Sequence, residues 1–175
     1  MSNLHERLER SIEILKMKKQ EIRDAKMAHN RDTVWSDTER YKLNMEMLTW
    51  IVNTDTLFLK TSRQYSRDKQ QAQNSDGNPE NREQEILLGL YHAFNCFKHN
   101  ARILSMETIN TDETIKFGDT EYPIANNEWL SDPIGKKRNT YKFYKTNLKG
   151  KNVELIFNGA VCYLVSYYNK IRSTE

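Results

Sequence analysis

At 175 residues the chain is about one domain in size, long enough to bury a proper core, and its 37% hydrophobic and 29% charged residues exclude a disordered composition. The net charge is only +3, which excludes a uniformly basic protein. Its distribution is uneven: Pro133 to Val153 holds seven Lys or Arg and no acid, whereas Glu107 to Asp132 holds seven acids against Lys116.

The first element is a helix over about 3–28, because Leu4, Leu8, Ile12, Leu15 and Ile22 recur mostly at three- and four-residue steps among Lys, Arg and Glu. The opening "MSNLHERLER" has no apolar run, and later apolar stretches are interrupted by Asn, Lys or Glu. No signal peptide or spanning helix is expected, and the expected setting is the cytoplasm, away from the membrane. "HNRDT" ends the pattern, and a second helix starts near Ser36 or Asp37, where Ser36 and Glu39 fit a capping box. Its stripe runs Leu43, Met47, Trp50, Ile51, Leu57, Phe58 and Tyr65. It gives out in "RDKQQAQNSDGNPEN", a polar helix end followed by a turn at Asp76-Gly77-Asn78-Pro79.

A third helix follows Pro79 and carries Ile86, Leu87, Leu90, Tyr91, Phe94, Phe97, Ala101 and Leu104. From Met106 to Asn147 the helical period is lost. "TIKFGDTEYPI" places a Gly-Asp turn between short β-type runs, and "NTYKFYKT" alternates as a strand would. "NLKGKN" then turns the chain into a last helix over roughly 152–172, with Val153, Ile156, Phe157, Ala160, Val161, Leu164, Tyr168 and Ile171 on its stripe. The expected fold is mainly α: one domain over 1–175, a four-helix bundle with a small antiparallel β insert (about 106–147) before the last helix. Cys96 and Cys162 have no metal-site or CxxC spacing and are expected to be buried thiols in a reducing compartment.

On the third helix, His92, Asn95, His99 and Arg102 fall within about 80° of one another, beside the apolar stripe. A His to move protons and an Arg to stabilise phosphorane charge are what phosphodiester cleavage needs. The same row also suits the ordinary solvated edge of an amphipathic helix. His92 and His99 are two turns apart, about 10 Å, too far to share a metal, and no Gly-rich phosphate loop is present, so neither metal nor cofactor is expected. In "GKKRNTYKFYKTNLKGK", the cations Lys136, Lys137, Arg138 and Lys142 would contact phosphate while Tyr144 stacked an unpaired base, making RNA the first partner to test. An ordinary surface loop and half-buried strand is the other reading of that segment.

"AFNCFKHN" on a third helix, then a β insert and a closing helix opening "LKGKNVE", resembles a group of uncharacterised bacterial HEPN-like proteins over the C-terminal half of the chain. The resemblance implies a compact helical bundle that usually dimerises. Many such domains are metal-independent ribonucleases in toxin–antitoxin, abortive-infection and other defence systems, of bacteria or directed at phage. Their signature is an Arg, usually followed by a polar residue such as Asn, and a His a few positions on. Asn95 to His99 match the polar-residue-to-His part, and Phe94 stands where the arginine belongs. On this resemblance His99 is the general acid/base, Asn95 positions the phosphate and Arg102 stabilises charge. Tyr91 and His92 lie at a homodimer interface that would offer Arg102 of one chain to His99 of the other. The alternative is a non-catalytic interaction module, antitoxin-like or bound to a protein partner.

Overall fold

The computed structural model describes residues 2–32, 36–74, 78–98, 103–105, 114–117, 120–123, 128–129 and 139–173. These residues are mainly helical: α1 (Ser2–Asp32), α2 (Asp37–Thr61), α3 (Arg63–Asn74), α4 (Arg82–Lys98), α5 (Tyr141–Asn147) and α6 (Val153–Arg172). Between α4 and α5, β1 (Leu104–Ser105) pairs antiparallel with β4 (Glu128–Trp129), and β2 (Thr114–Phe117) with β3 (Thr120–Pro123). No helix among the described residues is long and apolar enough to cross a membrane.

Apolar spacing accounts for the long helices. Leu8, Ile12 and Leu15 of α1, Met47, Leu48, Ile51 and Phe58 of α2, and Leu87, Leu90 and Ala93 of α4 are all buried in one core. Ile156, Phe157, Ala160, Val161 and Leu164 of α6 complete it. α1 packs along α2, and α6 reaches α1, α2 and α4. The Ser36 cap is present: its Oγ accepts from the Glu39 backbone N–H at 3.2 Å and donates to the Glu39 carboxylate at 3.0 Å. Asn152 caps α6 in the same way, its Oδ1 accepting from the Leu155 backbone N–H at 3.1 Å.

Four boundaries differ from the expected ones. The backbone of α1 stays helical through Asp32, because "HNRD" is polar but contains no Gly or Pro to stop it. The second predicted helix is two. Ser62 adopts an extended conformation (φ −123°, ψ 114°) and its Oγ accepts from the Tyr65 backbone N–H at 3.2 Å, so Tyr65 belongs to α3. Leu104 belongs to β1, not to α4. The fourth difference matters most for function: "YKFYKTN" is the helix α5, not a strand. Phe143, Tyr144, Asn147 and Leu148 are all buried, a helical spacing that turns one face onto α4.

Two glycines permit this arrangement. A Cβ on Gly89 would lie 2.7 Å from Leu148 Cδ1 and 3.2 Å from the Phe143 carbonyl, so α5 seats against bare α4 backbone. Gly150 takes a left-handed conformation (φ 65°) in the turn before α6, and its N–H donates to the Trp129 carbonyl at 3.0 Å. Trp129 is thereby held in the core, edge-on to Tyr144 and Phe157.

Candidate functional site

α5 covers the edge of α4 that carries His92. His92 is 2% exposed. Its Nδ1 lies 3.3 Å from Thr140 Oγ1 and its Nε2 3.5 Å from Cys96 Sγ. The ring sits between Tyr141 (5.4 Å) and Tyr144 (5.6 Å). His92 therefore corrects the interface expectation: it is a core residue joining α4 to α5. Read alone, a helix shows a polar edge but not which element lies over it.

The remaining residues of the row separate. Tyr91 is exposed. Asn95 is half-buried, and its Nδ2 is buried with no partner among the described residues. Phe94 packs partly against the core, with Lys98 Nζ 4.6 Å above its ring. His99 and Arg102 lie outside the described residues.

Of the basic-aromatic segment, Lys136, Lys137 and Arg138 also lie outside the described residues. Lys142 is exposed, its Nζ 4.8 Å over the Phe143 ring. Tyr144 is fully buried and corrects the stacking expectation: helical rather than strand geometry turns it inward, against His92 and Trp129. The outer face of α5 carries Lys142 and Lys145, three residues apart and exposed, and Lys149, also exposed, lies in the turn that follows the helix. Among the described residues no ion pair engages Lys145 or Lys149. Next to this face, between the end of α3 and the start of α5, is a cleft of about 530 Å³ that includes Gln73, Asn139 and Lys142. No family model, curated protein or solved structure matches the chain.

Two features fall outside the sequence expectations. Cys162 is exposed, with Lys19 Nζ 3.7 Å from its Sγ, whereas Cys96 is buried as expected. The buried thiol lies beside His92 on α4; Cys162 lies one position beyond the buried Val161 and turns outward. The second feature is a buried polar cluster. Lys69 Nζ donates to Asp55 Oδ2, and the Tyr65 hydroxyl donates to Asp55 Oδ1 at 2.6 Å. Its signal was present, since Asp55 stands four residues after Ile51 and three before Phe58, on the apolar stripe of α2.

Proposed function

We propose that the protein is a HEPN-like helical bundle that binds RNA through the outer face of α5 and holds it without cutting it. The observation that carries the binding is the exposed row of Lys142, Lys145 and Lys149. Exposed cations clustered on a helix and the turn after it attract phosphate irrespective of base sequence, because each neutralised phosphate releases condensed counterions. Lys136, Lys137 and Arg138 precede α5 in sequence and add three cations to the same acid-free segment.

The absence of cutting rests on Phe94 and His92. Phe94 supplies no donor where a phosphorane oxyanion needs one, and His92 is sealed between two tyrosines. The resemblance supports a setting in a bacterial or phage defence or toxin–antitoxin type system, with this chain as its RNA-binding component.

Two measurements test the two halves. Changing Lys142, Lys145 and Lys149 together to Ala should lower the slope of log K against log salt by about 2 for single-stranded RNA. An unchanged slope overturns the binding face. Total RNA incubated in EDTA with the native chain or with His99→Ala should stay intact in both. A ladder present only with the native chain would establish cleavage by His99 and overturn the other half.

A further inference from the structure

We infer that the groove between α4 and α6 is a docking surface for an acidic amphipathic helix of a protein partner. The groove lies at the N-terminal ends of the two helices and has a volume of about 500 Å³. Its apolar lining is Ile86 of α4 with Leu155, Ile156, Gly159 and Ala160 of α6. Leu155 is 72% exposed, more than any other large apolar side chain among the described residues. So open a leucine adds little to the fold, but beside an apolar groove it offers another chain an anchor.

Gly159 points to the kind of occupant. At Gly89 an added Cβ collides with α5, so the fold itself requires that glycine. At Gly159 an added Cβ would meet nothing within 4 Å, and glycine in a helix is less favourable than alanine. The chain's own packing therefore makes no use of the bare backbone there. Gly159 stands four residues after Leu155, one turn along the same face of α6. A helix laid along that face can take Leu155 as its anchor and approach the α6 backbone closely at Gly159. Charge selects the partner's sign. Arg82 lines the groove on the α4 side. Lys151 lines it on the other, and its Nζ donates to the Thr146 carbonyl at 2.9 Å, which holds this cation at the end of α5. Lys149 is exposed two residues earlier in the same turn. Glu83 is the one acid in the lining, and Glu154, next to Leu155, is paired with Lys26 at 2.7 Å. The rim is positive on balance, so the complementary helix carries Asp or Glu beside its apolar stripe.

The test is fluorescence anisotropy of the full chain, without RNA, against a labelled helical peptide of about 18 residues that carries Leu at three- and four-residue steps flanked by Glu. A second peptide has Lys in place of every Glu. The Glu peptide should bind, and the Lys peptide about ten-fold more weakly or worse. Leu155→Asp and Gly159→Leu should each weaken the Glu peptide about ten-fold, the scale of one buried leucine. Leu155 is exposed and Gly159 has open space, so both variants should keep the native helical circular dichroism. No binding of the Glu peptide to the native chain overturns the docking surface. Unchanged binding by both variants overturns its place in this groove. Equal binding of the two peptides overturns the acidic partner. If Leu155→Asp sediments at a lower mass than the native chain, a second copy occupies the groove and the partner protein is overturned.

Discussion

Asp55, Lys69 and Tyr65 form a charged cluster with almost no access to water: they are 4%, 5% and 0% exposed. Burial lowers the Lys69 pKa from its usual 10.5, opposed by the Asp55 charge, and burial with that same charge pushes the Tyr65 hydroxyl well above 10.0. Such a pair adds little over well-packed apolar residues, but removing one partner strands the other. Asp55→Ala is expected to cost about 3–5 kcal/mol in urea unfolding, and Asp55→Leu with Lys69→Met to recover most of it. A loss under about 1 kcal/mol for Asp55→Ala would show that Lys69 escapes to solvent. Alkaline pH has a signed effect. The hydroxyls of Tyr65, Tyr163, Tyr167 and Tyr168 all have raised pKa values, chiefly through burial. Above pH 10 the unfolded chain releases these protons while the folded chain keeps them, so stability falls as pH rises past 10. Lys69 acts the other way: between its lowered folded pKa and 10.5 the unfolded state binds the extra proton, so stability rises with pH there. Below pH 10 the lysine acts alone, and above it the four tyrosines dominate. Absorbance at 295 nm should show Tyr65, the most deeply buried of them, ionising only together with loss of helical circular dichroism.

The α4–α5 contact is the element on which the site depends, and Gly89 is its hinge point. Gly89→Ala would ordinarily favour a helix by about 1 kcal/mol. Here the added methyl meets Leu148 and the Phe143 backbone, and overpacking of this kind costs about 1–3 kcal/mol. The variant is therefore expected to melt lower than the native chain and to bind RNA more weakly; a higher melting temperature would mean that α5 does not sit on α4. The cores of α1, α2, α4 and α6 were legible in the sequence because Leu, Ile and Phe repeat over many turns at helical spacing. α5 was not, because Tyr141, Phe143 and Tyr144 fit a two-residue period as well as a helical one over so short a run. The candidate site was legible to the same degree. Lys142 faces out under either geometry, but Tyr144 changes sides when the period changes. His92 could be placed only once α5 was known to cover it. Gly89, in the middle of a strongly apolar helix, was the one local sign that another backbone comes close there.

At the scale of the whole molecule, a net charge of +3 is too small to drive RNA binding by itself, so attraction depends on the local row and on how many rows one assembly presents. α4 bears on that number. Tyr91 is 41% exposed, a large share for an aromatic in the middle of a helix that is otherwise mostly buried. On the side of α4 that faces α2, Phe97 shares a shallow, mainly apolar groove of about 350 Å³ with Tyr41, Met45 and Trp50, rimmed by Lys42 and Glu46. Half-buried aromatics inside a charged rim have the composition of an interface centre. A two-fold related copy would bring the same groove, its rim charged by Glu46 with Lys18 and Lys42 of the same chain around it. Two lysine faces on one dimer would also raise the effective affinity for a single RNA long enough to reach both. Sedimentation velocity at micromolar concentration is expected to give twice the 20.8 kDa chain mass, and Tyr91→Asp with Trp50→Asp to return it to 20.8 kDa without loss of helix. A native chain that sediments at 20.8 kDa would remove the dimer, and any RNA binding would then have to come from one lysine row alone.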